Sequence, residues 1–335
     1  MRSRSATSPA RPGKSSGTTQ HPRIAVVGCG VIGISWTALF LANGCEVSAY
    51  DPAPDAAARI RKGIAGIAPR LAAMGYRTAS MEKRLRIHAD LAQAVREAGI
   101  VQENGPERMA FKRMIWREVE KHAAPDALFL SSSSSIKATT QAAGLRNPAR
   151  MLVGHPFNPP HLIPLVEVAP GRRTSPEAVR AAVEFYRSMG KHPVVLRKEI
   201  PGFVANRLQG ALLRESVSLV KKGVVTVDEL DEIVTHSIGL RWATGGPFVS
   251  FHLGGGPAGF QGYLKQFTRA LNLLWLLLQV TPVYMTGSVK SMLLGQIAAS
   301  FGRTPVGELE ARRDGDQIAI LDALVHSRVR GKGKK

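Results

Sequence analysis

The segment that most constrains this chain is "RIAVVGCGVIGISWTALFLANGCEVSAYD", Arg23 to Asp51. An apolar run, Ile24 to Val27, leads into Gly28, Gly30 and Gly33 and then into a helical pattern, and a second extended run, "EVSAY", ends beside Asp51. Strand, glycine loop, helix and strand in that order make a βαβ beginning. Gly28 permits the tight turn, Gly30 lets the backbone approach a pyrophosphate, and Gly33 lets helix and strand pack closely. Val31 and Ile32 open the helix, whose N-terminus then faces the negative charge. Asp51, about twenty residues past the loop, can accept from a ribose 2′-hydroxyl and would repel a 2′-phosphate, which favours NAD over NADP. Arg59, Arg61 and Lys62 are near enough to temper that preference, but read first as a solvated helix face.

The alternation continues. "GIVQEN" reads as a strand, "ERMAFKRMIWREVEKHA" as a helix and "ALFLSSSSS" as a strand; "SPEAVRAAVEFYRSMG" is a helix with Ser175 as N-cap, Pro176 at its first position and Gly190 beyond its end, and "HPVVL" is a further strand. The expected fold class is α/β, a Rossmann-type doubly wound parallel sheet. Ligands bind beyond the carboxyl ends of such strands, where Glu103, Asn104 and the run Ser131 to Ser135 emerge. Alone, five serines read as a flexible linker; between an apolar strand and "IKATTQAA" they read as a strand-to-helix turn lined with hydroxyls.

The alternation stops at "EIPGFVANR". Amphipathic segments such as "FVANRLQGALLRESVSLV" and the T-x-x-E capped "TVDELDEIV" then predict an all-helical C-terminal domain. The expected organisation is a disordered basic tail over 1–21, a dinucleotide-binding domain over 22–200, a helical substrate and dimerisation domain over 201–326 and a basic tail over 327–335. "GGPFVSFHLGGGPAGF" reads as a loop over the junction. "ALNLLWLLLQV" reads as a buried helix, being too short to span a bilayer.

Composition narrows the function classes. A chain of 335 residues with 44% hydrophobic residues can bury a sizeable core. Of the formal net charge of +20, nine units sit in the two termini, and the basic body that remains would attract phosphates or CoA-like anions. With 6% aromatics and no recognition motif, no nucleic-acid partner is expected, and with no apolar stretch long enough to span a bilayer no membrane partner is expected either. Residues 1–20 lack the apolar core of a secretory signal; an Arg/Ser-rich transit peptide is the competing reading of that tail. Cys29 and Cys45 supply neither a disulfide framework nor a metal ligand set, which fits a reducing cytoplasm and leaves no metal expected.

The chemistry concentrates in "GHPFNPPHLIPLVEV", Gly154 to Val168. A short strand runs into a proline-stiffened loop and a second strand follows, so His155 and Glu167 leave neighbouring strand ends. An imidazole held by a carboxylate has a fixed tautomer and suits a general base, and a base beside NAD makes alcohol oxidation the natural chemistry. Blander readings stay open: Glu167 as a surface ion-pair partner, His161 as an exposed loop residue, and the two histidines as a metal pair.

With "GCGVIG", "VQENGPE", "SSSSSI", "GHPFNPP", "PLVEV" and "IPGFVANRL" in this order, the chain resembles the L-3-hydroxyacyl-CoA dehydrogenase family over roughly Arg23 to Gly262. Within it the chain is most similar to the branch of carnitine dehydrogenase, gulonate 3-dehydrogenase and lambda-crystallin. The resemblance implies an NAD-dependent enzyme, usually a homodimer, that oxidises the 3-hydroxyl of a small 3-hydroxyacyl compound. It implies His155 as base, Glu167 as its orienting partner, and Ser134 and Asn206 as donors to the substrate oxygen, with any of Ser133 to Ser135 open for the serine's part. It also implies contacts to the cofactor from Glu103, Arg108, where a lysine often stands, and Asn158. "HPFNPPHLIPLVE" and "GLRWATGGPF" favour a free 3-hydroxy acid such as carnitine or gulonate. A short-chain 3-hydroxyacyl-CoA of fatty-acid metabolism is the alternative, and a crystallin-like structural protein that keeps NAD binding is the reading of another class.

Overall fold

In the first 200 residues, short apolar runs become strands because period-2 alternation lets each one feed two cores. The computed structural model describes residues 22–280 and 282–332, so the tail expected over 1–21 lies outside the described residues. From β1 (Ile24–Val27), Ile24 and Val26 enter one hydrophobic cluster and Ala25 and Val27 the other. Helices α1 (Val31–Ala42) and α2 (Ala56–Ala73) cover the first face, and α3 (Leu91–Val95), α4 (Met109–His122) and α5 (Ala138–Gln141) the second. The other strands are β2 (Val47–Tyr50), β3 (Leu85–His88), β4 (Ile100–Glu103), β5 (Leu128–Ser131), β6 (Met151–Pro156), β7 (Leu165–Pro170) and, after α6 (Pro176–Ser188), β8 (His192–Val195). They form one sheet in the order β3-β2-β1-β4-β5-β6-β7-β8, and the reversal at β1 and β4 is the doubly wound topology.

The sheet departs from the all-parallel expectation at one pair. β6 and β7 run antiparallel while every other pair is parallel, because the 157–164 connection is too short for a crossover helix. The antiparallel register sets His155 directly opposite Glu167. β3 and α3 escape the sequence reading: "LRIH" is a half-charged edge strand without an apolar run. The caps at Ser175, which accepts from Ala178 N, and in the Thr226/Glu229 capping box form as expected.

After β8 the chain is helical: α7 (Ala205–Lys221), α8 (Val227–Val234), α9 (Leu240–Thr244), α10 (Pro247–Gly254), α11 (Gly259–Val280), α12 (Gly287–Ala299) and α13 (Val306–Lys332). One compact unit ends at Asn206 and resumes at Arg313, and the other is Arg207–Arg312. The glycine-rich stretch expected as a loop instead holds α10, since Pro247 can start a helix and the run from Phe248 to Leu253 continues it before Gly255 ends it. "ALNLLWLLLQV" is helical as expected but not buried in one chain: Leu273, Leu274, Trp275, Leu276 and Leu277 are each at least half exposed. Among the described residues no helix is long and apolar enough to cross a membrane.

Trp36 anchors the first core. It is fully buried, stacks on Phe40 at 5.2 Å and donates from its indole nitrogen to the Ser132 hydroxyl at 3.1 Å. Trp36→Ala should destabilise the protein by about 3–5 kcal/mol, and Trp36→Phe by less, in urea-unfolding midpoints. An unchanged midpoint for the alanine variant would show that this side chain is not a core element.

Candidate active site

The glycine loop has the geometry an anion needs. Gly28 sits at φ +84, and a side chain there would press on the Gly105 backbone at 2.9 Å; a Cβ on Gly33 would meet the Gly28 carbonyl oxygen at 2.0 Å. A Cβ on Gly30 would meet nothing within 4 Å, so the space beside that backbone is open. Gly30 provides no side-chain cap to α1 and the first turn, with Val31 and Ile32, holds no acid, which leaves its N–H groups and the helix dipole for a phosphate. Asp51 accepts from Cys29 N at 2.8 Å through one oxygen, and from Ala53 N at 3.1 Å and Arg59 at 2.9 Å through the other. Arg59 has thus left the solvated face expected of it, while Arg61 and Lys62 are exposed. These residues fit a dinucleotide.

Beyond β4, Glu103 is fully buried. Both its oxygens accept from the buried Lys112 at 2.9 Å, and Gly105 N and the Ser131 hydroxyl donate as well. Burial raises this carboxyl above its ordinary range, against the opposing pull of the Lys112 charge. Sequence reasoning missed Lys112. The available signal was a charge on an apolar stripe, since Lys112, Ile115, Trp116 and Val119 form the buried face of α4. Arg108 and Asn158 are exposed, and their side chains make no hydrogen bond or ion pair among the described residues.

The five serines are a structured turn in which one hydroxyl stands apart. Ser131 donates to Glu103, Ser132 to Asn104, and Ser133 and Ser135 to Glu107. The Ser134 hydroxyl has no protein partner among the described residues, while its carbonyl accepts from Asn206 Nδ2 at 3.4 Å. The hydrogen-bond arrangement therefore leaves Ser134 as the serine of this run with a hydroxyl to offer. Glu107 too was missed, as its partners lie 26 to 29 positions along the chain.

His155 Nδ1 lies 2.9 Å from Glu167 Oε2, and the other oxygen of Glu167 accepts from Val204 N at 2.9 Å and Ala205 N at 3.1 Å, at the first turn of α7. Phe203, buried at φ +47, makes the turn into that helix and lies 5.5 Å from the imidazole. His155 Nε2 has no protein partner and is not among the buried unpartnered atoms, so it remains reachable from solvent. With Nδ1–H donated to the carboxylate, Nε2 carries the lone pair. Burial works against the Glu167 carboxylate, but its hydrogen bonds from His155, Ala205 and Val204 together hold it below the ordinary carboxylate range.

His161 is buried rather than an exposed loop residue. Its Nδ1 lies 2.9 Å from the Ser35 hydroxyl oxygen, which also accepts from His161 N, and burial lowers the imidazole to about 4. Lys191, buried behind the same loop, donates to the Pro160 and Ile163 carbonyls, and burial lowers it to about 7.

The model of the NAD-binding domain of 3-hydroxyacyl-CoA dehydrogenase matches residues 23–200, and that of the family's C-terminal domain matches 202–276. The chain belongs to the 3-hydroxyacyl-CoA dehydrogenase family. It is an NAD-dependent dehydrogenase. It is 40% identical to the L-carnitine dehydrogenase of Pseudomonas aeruginosa over 312 residues, 93% of this chain and 97% of that protein. It is 39% identical to the L-carnitine dehydrogenase of Oceanobacillus iheyensis over 302 residues, 90% of this chain and 98% of that protein. Among solved structures it is similar to 5-formyl-3-hydroxy-2-methylpyridine 4-carboxylic acid 5-dehydrogenase, an NAD-dependent dismutase, with TM-score 0.76 and 32% identity, covering 90% of this chain and 98% of that one.

In this dehydrogenase the state of Glu167 is linked to stability. Its folded pKa lies below the unfolded value, so its contribution is complete above the ordinary carboxylate pKa of about 4.3 and is lost as pH falls through the folded value. Glu167→Gln should therefore flatten the loss of stability below about pH 4 relative to the unaltered protein, measured as urea midpoints from pH 6 to pH 3. Parallel curves for the two proteins would contradict this.

Proposed function

We propose that the protein oxidises the 3-hydroxyl of a free L-3-hydroxy acid to the 3-keto compound, with L-carnitine the leading candidate. The observation that carries the reading is the His155–Glu167 pair at 2.9 Å, with Nε2 open to solvent, in a chain about 40% identical to L-carnitine dehydrogenases over nearly its whole length. NAD, when bound, supplies the hydride acceptor for the substrate's C3. The cradle proposed for it is Gly28, Gly30, Val31, Ile32, Gly33 and Asp51, with Arg108 and Asn158 toward the nicotinamide half and Glu103, fully buried on Lys112, supporting that end from beneath rather than touching the cofactor.

His155 Nε2 takes the hydroxyl proton as the carbon–hydrogen bond breaks. Glu167 keeps Nδ1 protonated before the step and stabilises the imidazolium after it. The Ser134 hydroxyl and Asn206 Nδ2 donate to the substrate oxygen, and so favour the charge that builds on it. Each group that meets the charge formed on the histidine is thus already in place.

A 3-hydroxyacyl-CoA substrate is the second reading, favoured by the basic composition, since about half of the excess charge lies outside the termini. NADH production should be measured with carnitine, gulonate, 3-hydroxybutyrate and 3-hydroxybutyryl-CoA. Turnover of the CoA ester alone would overturn the free-acid reading, and turnover of none would favour the crystallin-like alternative. With the best substrate, His155→Ala should lower kcat by roughly 100-fold or more with NADH affinity nearly intact. Unchanged oxidation would make His155 a structural residue.

The exposed apolar face of α11 supports a homodimer, since Leu273, Leu274, Leu276 and Leu277 exceed what a solvated helix leaves open. Light scattering at micromolar concentration should give twice the chain mass of 36.1 kDa, and a monomer would contradict the pairing. The buried free thiols of Cys29 and Cys45 are in keeping with a reducing cytoplasm.

A further inference from the structure

The end of the "VQENGPE" motif is not absorbed by the reaction as described. Glu107 follows the turn after β4 and reaches across to the serine turn after β5. Its Oε1 accepts from the Ser133 hydroxyl at 2.5 Å, from the Ser135 hydroxyl at 2.9 Å, from Ser135 N at 2.8 Å and from Ile136 N at 3.2 Å. Two successive backbone N–H groups turned toward one point make a nest for an anion, and here the chain supplies that anion itself. Ile136 N also donates to the Ser133 hydroxyl oxygen at 2.9 Å, so the donors around Glu107 are tied to one another as well. Its second oxygen lies 3.8 Å from Lys112 Nζ, the cation that binds Glu103. Burial opposes the charge of Glu107, but the bonds from Ser133 and Ser135 and the Lys112 charge keep its carboxyl below the ordinary range.

We infer that Glu107 is a positioning residue that fixes the serine turn so that Ser134 presents its hydroxyl to the substrate oxygen. Ser134 stands between the two serines whose hydroxyls Glu107 holds, and its carbonyl is tied to Asn206. Glu107 therefore removes the competing donors: with the hydroxyl hydrogens of Ser133 and Ser135 committed to its carboxylate, neither can take the place of Ser134 as the donor to substrate. Without the carboxylate, the turn from Ser133 to Ile136 would lose the four hydrogen bonds that converge on Oε1, and the entropy of ordering it would fall on the substrate. A charged acceptor suits this task, because its hydrogen bonds are about twice as strong as those of a neutral one.

The inference rests on the proposed role of Ser134, and a double-mutant cycle separates the two. Activity with the best substrate of the screen is measured for Glu107→Ala, Glu107→Gln, Ser134→Ala and each Glu107 variant combined with Ser134→Ala. NADH affinity is measured directly by fluorescence, and melting temperature reports the fold. Ser134→Ala should lower kcat by roughly 100-fold. Glu107→Ala should lower it by roughly 10-fold or more, and Glu107→Gln by less, because an amide oxygen still accepts in the same place. NADH affinity should change less than twofold. In the Ser134→Ala background the further loss from either Glu107 substitution should shrink to less than threefold. If Ser134→Ala is impaired and the Glu107 losses persist in full in its background, the positioning role is overturned while the serine's role stands. Full activity in Ser134→Ala overturns both. Should Glu107→Ala fail to fold, Glu107→Gln carries the same test.

Discussion

The site depends on the two oxygens of one buried carboxylate. Glu167 is fixed opposite His155 by the β6–β7 register, so a backbone ladder decides which residue the imidazole meets. One oxygen holds Nδ1, and the other caps the first N–H groups of α7, the helix that begins next to Asn206. Burying a carboxylate is costly, and here it is offset by donors from both sides and by the positive end of a helix. The same arrangement couples the histidine to the Val204–Ala205 backbone: a shift of that turn would loosen the histidine, and a shift of the histidine would leave those N–H groups less well held. Phe203, held in a left-handed conformation uncommon for a bulky residue, is the strain this compactness requires.

Local signals were legible in the sequence. The glycine loop, the N-cap at Ser175 and the Thr226 capping box each depend on residues a few positions apart, and all form as read. The two ends of the hairpin could be read as neighbouring because prolines mark the connection, though not that β7 would run antiparallel. The pairs Lys112 with Glu103, Glu107 with Ser133 and Asp51 with Arg59 were not legible as pairs. Each joins groups on different elements, and nothing in a charge pattern names the partner. α10 was misread because its glycines outweighed Pro247 and the apolar run between them.

Acids at the carboxyl end of the sheet serve as internal counter-anions to backbone N–H groups. Glu103 accepts from Gly105 N, Glu107 from Ser135 N and Ile136 N, and Glu167 from Val204 N and Ala205 N. Each holds a turn that carries or precedes a proposed ligand group. A basic chain can support acids at this end of the sheet, since the Lys112 ammonium lies against the first two, and the third is held by the His155 ring N–H and the N–H groups of Val204 and Ala205. The excess positive charge is then available elsewhere to attract an anionic cofactor or acid.

The two histidines of "HPFNPPH" show how environment rather than residue type assigns a role. They lie six positions apart and both are buried, and each has its Nδ1 at 2.9 Å from an oxygen. For His155 that oxygen belongs to a carboxylate, which can stabilise an added positive charge, and Nε2 is reachable. For His161 it belongs to Ser35, whose hydroxyl accepts from His161 N and whose own hydrogen has no other acceptor among the described residues than Nδ1. That leaves the proton of His161 on Nε2, enclosed and without a partner, and burial holds the ring neutral down to about 4. Only the first histidine has both a place for a proton to arrive and a counter-charge for it once there. His161 instead fastens the proline loop to α1, so the loop that carries Asn158 is held to the helix that opens the glycine site.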